Sequence, residues 1–225
     1  MTSDGNTKVA LVTGGAGALG TAVVAALESA GYEVCRGSRD GSEVKLEWFD
    51  VTDTEQVNKA VQQVIDRYGR IDVLANLVGG WNPQPPITET TDEELDRFID
   101  LNLKSAFKVS RAAAPHMVRN GWGRIINIGA KPGERGGAGN GPYGISKAGV
   151  LILTDTMAEE LKGTGVTVNA LIPSIIDTAP NREGMPDADF STWVPPEHIA
   201  ATLLFLCSDE AASITGERIH VLNRA

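Results

Sequence analysis

Short apolar runs alternate with longer stretches of helical periodicity from one end of this 225-residue chain to the other, and that rhythm limits its folding more than any other feature. Strands are expected at 9–13, 33–36, 44–49, 73–76, 124–128, 166–171 and 218–222, and helices at 19–30, 54–68, 92–120, 142–162 and 196–208. Strands joined through helices run parallel, and a parallel sheet is covered by helices on both faces. The helical stretches carry the stripe this requires: Val57, Val61, Val64 and Ile65 fall on one face. The length suits one domain, 1–225, with a flexible arm at 1–7. One long irregular stretch, 175–195, is rich in Pro, Asp and Asn and is expected to be a substrate lid.

Composition narrows the partners. With 29 acidic against 20 basic residues, a net charge of -9 and no run of like charge, neither nucleic acid nor an anionic membrane is an expected partner. No stretch of about 18 uninterrupted apolar residues offers a membrane span. Cys35 and Cys207 stand far apart without a second pair, which argues against a disulfide framework or a zinc site and for a reducing, cytoplasmic setting. His116, His198 and His220 fall on separate elements, so no metal site is expected.

Gly15-Ala16-Gly17-Ala18-Leu19-Gly20 follows the first strand and opens the first helix, the context in which a G-x-G-x-x-G string acquires meaning. Glycines let the backbone approach a pyrophosphate, and a helix N-terminus offers free amides and partial positive charge. The expected fold is therefore a single Rossmann-type, doubly wound α/β sheet of about seven strands, order 3-2-1-4-5-6-7. Near the end of the second strand, Ser38-Arg39 stands where many dinucleotide folds place a carboxylate for the ribose 2′-hydroxyl. A hydroxyl and a guanidinium suit a 2′-phosphate, so NADP(H) is favoured over NAD(H). The alternative is an arginine on a solvated turn, its charge diluted by Asp40 and Glu43.

Tyr143 and Lys147 are four residues apart in a predicted helix, hence on one face. A carbonyl reduced by hydride needs a proton, and a phenol with a pKa near 10 is a sluggish donor at neutral pH. A lysine ammonium about 4 Å away would stabilise the phenolate by roughly 4 kcal/mol, enough to bring Tyr143 toward working pH.

In order, these motifs resemble the short-chain dehydrogenase/reductase family over essentially the whole chain. Thr13-Gly14-Gly15-Ala16-Gly17-Ala18-Leu19-Gly20 is similar to its cofactor turn, with Ala18 where Gly is commoner. The resemblance implies adenine contacts from Asp50 and Val51, and a cofactor-side strand end at Ala75-Asn76-Leu77-Val78-Gly79. It gives Asn102 a catalytic role supporting a proton-relay water, makes Tyr143 the acid, and has Lys147 holding the ribose. It also implies nicotinamide contacts along Pro173-Ser174-Ile175-Ile176-Asp177-Thr178, notably from Ile176 and Thr178. A homodimer or homotetramer is implied as well, with the run at 148–153 as core or subunit interface.

One departure matters. The family normally carries a catalytic Ser where this chain has Ala130, and losing an oxyanion donor costs about 3–4 kcal/mol, a hundredfold or more for ordinary ketones. Dihydropteridine reductase-like members also lack that Ser, and Gly79-Gly80-Trp81, Gly129-Ala130-Lys131 and the segment from Leu171 to Trp193 resemble them most closely. That resemblance implies a small electron-poor carbonyl or quinonoid, pterin-like acceptor. Trp81 and Trp193 would flank the nicotinamide pocket, or simply pack in their loops; Arg182 and Arg135 would bind an acidic or carbonyl group, or lie in solvent. Two alternatives stand beside this reading: a conventional ketone or 3-oxoacyl reductase, and a non-catalytic NADP(H)-binding scaffold or sensor.

Overall fold

The computed structural model describes residues 7–36, 46 and 49–223. Among them are strands β1 (Val9–Thr13), β2 (Glu33–Cys35), β3 (Val73–Asn76), β4 (Gly123–Ile128), β5 (Val166–Pro173) and β6 (Arg218–Val221). They form one parallel sheet in the order β2-β1-β3-β4-β5-β6. The longer helices are α1 (Ala18–Ser29), α2 (Thr54–Tyr68), α3 (Asp92–Phe98), α4 (Ser105–Asn120), then, beyond a four-residue α5 (Lys131–Glu134), α6 (Gly141–Glu160). A short α7 (Ala179–Gly184) and α8 (Pro196–Leu206) complete the set.

Successive strand residues feed opposite faces, which is why the strands read as unbroken apolar runs. Val9, Leu11, Leu74 and Ile125 meet Val57, Val61 and Val64 of α2, Val109 and Met117 of α4, and Met157 of α6. Ala10, Val12, Val73, Ala75 and Ile126 point the other way, onto Val23, Val24 and Leu27 of α1 and Ile199, Leu203 and Leu206 of α8. This is the doubly wound architecture, with the order reversing between β1 and β3 and a crevice at their carboxyl ends.

Several expected elements change form. The third strand, at 44–49, lies mostly outside the described residues; Leu46 within it is buried in the core that α2 covers. Ser38 and Arg39 also lie outside the described residues, as do all but the last residue of the 1–7 arm. The single helix expected over 92–120 is interrupted by a π-helical segment, Ile99–Lys104, between α3 and α4. Hydrophobic spacing does not distinguish a wider turn inserted into a helix, and such insertions are frequent at functional sites.

The stretch 175–195 is not irregular. Thr178 Oγ1 accepts the Asn181 amide and starts α7, Asp189 caps a 3-10 turn at Phe190–Thr192, and a parallel bridge between Ile176 and Val194 closes the base. The polar residues that read as loop formers act here as helix caps. Among the described residues no helix is long and apolar enough to cross a membrane.

Asp72, fully buried at the entrance to β3, fixes the sheet's starting edge. Its carboxylate accepts the Val9 amide at 2.7 Å and a fork from Arg70 at 2.8 and 2.7 Å. Asp72→Ala strands a buried amide and removes the charge-assisted pair, so urea denaturation should show a loss of about 2–3 kcal/mol in unfolding free energy.

Candidate active site

The chain leaves β1 through Gly14, whose φ of 71° is a left-handed conformation, and the Gly17 amide closes the turn onto the Gly14 carbonyl at 3.0 Å. Gly17 then caps α1 without a side-chain hydrogen bond, and no acidic residue stands in the first turn formed by Ala18, Leu19 and Gly20. The positive end of the helix and its amides are thus offered to an anion. A β-carbon at Gly20 would lie 2.1 Å from the Gly14 carbonyl oxygen, so the helix packs on the turn only because residue 20 has none. Across Gly15 runs Arg36, with its Nη1 3.4 Å from the Gly15 carbonyl oxygen. Arg36 ends the second predicted strand but was not among the expected cofactor residues. Its signal was positional: β2 pairs with β1, so the residue leaving β2 arrives beside the glycine turn.

Gly14 abuts the backbone of Leu77 and Val78, at 3.1 Å from where its β-carbon would be, so the strand end after β3 continues the same crevice. Asn76 turns into the protein: its Nδ2 donates to Ser110 Oγ and Asn127 Oδ1, both at 2.9 Å, and Asn127 donates to Thr154 Oγ1. Its Oδ1 is buried without a hydrogen-bond partner. Asp50 folds an Asx turn in which Oδ1 accepts from Thr52, and Val51 packs on the core. These features fit a dinucleotide: an anion-ready helix end, a side-chain-free turn and a flanking guanidinium.

Gly79 connects this crevice to the cluster around Tyr143 and Lys147. A β-carbon there would stand 2.7 Å from Asn102 Oδ1 and 3.2 Å from Lys147 Nζ. Asn102, on the π-helical segment, clasps Gly80 by accepting its amide at 2.9 Å and donating to its carbonyl at 3.3 Å. Asn102 Nδ2 also donates to Ser146 Oγ at 3.1 Å, and Ser146 donates to the Tyr143 carbonyl at 2.7 Å. The Tyr143 amide donates to Gln84 Oε1 at 3.0 Å, and its ring meets Phe98 edge-on with centroids 6.1 Å apart. Lys147 donates to the Ile128 carbonyl at 2.8 Å. Tyr143, Lys147 and Asn102 are therefore one connected cluster. Two further residues hold this cluster: Ser146 sits inside the Tyr143-to-Lys147 string, whereas Gln84 comes from 59 residues away with no motif to mark it.

The electrostatics differ from the expectation. Lys147 Nζ is 6.0 Å from the Tyr143 ring centroid, and burial, not the neighbouring cation, dominates the phenol, pushing its pKa up to about 12. Burial pulls Lys147 down to about 8. In the protein alone, loss of hydration opposes both charged forms, and the predicted acidification of Tyr143 does not occur.

Ala130 is buried and caps the short α5, so this position supplies no side-chain donor. Trp81 is 45% exposed and its indole N–H donates to Asn140 Oδ1 at 2.8 Å, tying the loop after β3 to the start of α6. Trp193, by contrast, is 3% exposed and packs on Phe190 with centroids 4.7 Å apart. Arg182 forks onto Asp177 at 2.6 and 2.8 Å and lies over the Phe190 ring, holding the Asp177 carboxyl below its usual range. Ile176 lies in the bridge at the base of this segment, Thr178 caps α7, and Pro173 ends β5.

The sequence profile of the short chain dehydrogenase family matches residues 8–188. The chain belongs to the short-chain dehydrogenase family. It is accordingly an NAD(P)-dependent oxidoreductase. This dehydrogenase is 33% identical to the 3-oxoacyl-[acyl-carrier-protein] reductase FabG of Thermotoga maritima, over 95% of this chain and 96% of that protein. It is 32% identical to FabG of Escherichia coli, over 95% of each. Among solved structures it is similar to ElxO with NADP bound, with TM-score 0.88, 27% identity, 96% of this chain and 97% of the other. It is also similar to gox2181, with TM-score 0.86, 29% identity, and coverage of 96% and 94%. These two relatives are 3-oxoacyl-[acyl-carrier-protein] reductases, so the narrower likeness to dihydropteridine reductase finds no support in them.

The buried lysine of the dehydrogenase has a stability signature. Between pH 8 and 10.5 the unfolded chain holds the Lys147 proton and the folded chain does not, so stability rises with pH across that window and the burial penalty is full below it. Lys147→Met should therefore unfold about 1–2 kcal/mol harder than wild type at pH 7, after loss of the Ile128 hydrogen bond is subtracted. That advantage should shrink toward pH 10 in urea titrations at the two pH values.

Proposed function

We propose that this protein reduces an activated ketone of the 3-oxoacyl type with NADPH, Tyr143 delivering the proton. The observation that carries the reading is the joining of two parts by residues 77–79: the glycine turn that would hold a pyrophosphate, and the half-buried Tyr143 with the buried Lys147. When bound, the cofactor supplies the hydride. Gly14, Gly15, Gly17, Ala18, Leu19 and Gly20 would hold its phosphates, Asp50 and Val51 its adenine, and Pro173, Ile176 and Thr178 the nicotinamide side. Arg36, with Ser38 and Arg39 beyond it, supports the preference for a 2′-phosphate. The NADP-bound ElxO structure, similar over 96% of this chain, supports it too.

Burial suits reduction. A phenol held near pKa 12 stays protonated at neutral pH, the form in which it can donate. Lys147, still mostly protonated at pH 7 with a pKa about 8, faces the ribose side through Gly79 and stabilises the phenolate left behind. Without a hydroxyl at Ala130, the substrate itself must lower the demand for oxyanion stabilisation. A ketone bearing an acyl group one carbon away does so by electron withdrawal, in keeping with the 3-oxoacyl reductases to which the chain is similar. Ala130 and the exposed Trp81 ring favour a second reading, an oxidised pterin that needs little oxygen stabilisation and can stack on an indole. Exposed Phe107, Ile145 and Ile152 on α4 and α6 support assembly into a homodimer or homotetramer.

Steady-state rates on a 3-oxoacyl thioester, an oxidised pterin and an unactivated ketone should rank in that order, and a faster pterin would reverse the two readings. Tyr143→Phe should cut turnover by about a hundredfold or more while NADPH binding stays within about twofold; an active variant overturns the proton-donor assignment. Ala130→Ser should raise the rate on the unactivated ketone by about ten- to a hundredfold and that on the 3-oxoacyl substrate far less. Tighter binding of NADH than NADPH at moderate salt would refute the cofactor preference.

A further inference from the structure

We propose that Gln84 is a positioning residue for Tyr143: from the loop after β3 its side-chain carbonyl caps the helix carrying the phenol and so fixes where the hydroxyl projects. The proposal rests on the reading of Tyr143 as proton donor. Helices leave their first amides without partners, and α6 receives no side-chain cap from its own N-cap residue, Asn140. Asn140 is engaged elsewhere, its Oδ1 accepting from Trp81 and its Nδ2 donating to the Ala138 carbonyl. The amide of Tyr143, third residue of α6, goes instead to Gln84 Oε1 at 3.0 Å.

Gln84 is only 8% exposed, and its other end is held, Nε2 donating to the Asn82 carbonyl at 3.0 Å. Asn82 in turn accepts from Arg97 of α3 at 2.7 Å. The carbonyl of Tyr143 is fixed from the same source: it accepts from Ser146, Ser146 accepts from Asn102, and Asn102 clasps Gly80. Both backbone polar groups of Tyr143 thus trace back to residues 80–84. A cap supplied by Asn140 would satisfy the same amide locally; supplied by Gln84, it ties Tyr143 to the loop whose Gly79 stands against Lys147 and Asn102. The loop acts as a spacer that sets the phenol relative to the lysine.

The test compares Gln84→Leu, which removes the acceptor, with Gln84→Glu, which keeps an oxygen at the Tyr143 amide. Gln84→Leu should lower kcat about tenfold or more, with KM for a 3-oxoacyl thioester and Kd for NADPH within about twofold, because a misplacement near 1 Å affects reaction geometry more than binding. Gln84→Glu should recover most of kcat, since it keeps an oxygen that accepts the Tyr143 amide. Should Gln84→Leu fail to fold, Gln84→Met, closer in length, takes its place in the same comparison. Wild-type kcat in the folded apolar variant overturns the proposal. So does joint loss of kcat and NADPH binding, or a Gln84→Glu as slow as Gln84→Leu at every pH. An active Tyr143→Phe would overturn the proton-donor reading itself, and is distinguishable because it leaves Gln84 intact.

Discussion

Lys147 carries an ammonium into the interior and holds it 2.8 Å from the Ile128 carbonyl, at the end of β4. Dehydrating a cation is costly, and the fall of its pKa to about 8 records that cost. The surrounding structure is arranged to bring it there. Gly133 lets α5 lie against the backbone of α6, with a would-be β-carbon 2.7 Å from the Lys147 carbonyl carbon, and Gly79 does the same for the loop after β3. Two side-chain-free approaches from opposite elements leave the lysine tightly enclosed.

The same dryness governs the phenol. Tyr143 and Lys147 shift in opposite directions because burial disfavours charge whatever its sign, and the upward shift keeps the phenol protonated at neutral pH. Around them the polar groups are satisfied by one another: Asn102 by Gly80 and Ser146, Ser146 by Tyr143, Asn76 by Asn127 and Ser110. Such networks hold reacting groups at fixed separations. Ala130 offers no side-chain donor, so on the proposed reading the burden of stabilising an oxyanion falls on the electronic character of the substrate.

Much of this was legible in the chain. The alternation of strands and helices, the glycine turn and the Tyr143-to-Lys147 spacing are local patterns, and the sheet order follows from them by the rules of parallel crossovers. The π-helical turn at Asn102 and the two capped turns within 175–195 were not legible, because one extra residue in a helical turn leaves no periodic trace, and Thr178 and Asp189 are equally at home in loops. By sequence Arg182 is a candidate substrate contact; its fork onto Asp177, five residues earlier, and its seat over Phe190 depend on how the segment folds.

The sequence by itself determined the architecture, the glycine turn after β1 and the placing of a phenol and a lysine on one helical face, since each depends on residues near one another in the chain. Only the tertiary structure decided that Gln84 and Ser146 hold the backbone of Tyr143, that Arg36 crosses Gly15, and that the phenol's pKa rises. Those outcomes depend on which distant segments exclude water from a group or reach its free hydrogen bonds, and such proximity is a property of packing that no local spacing encodes.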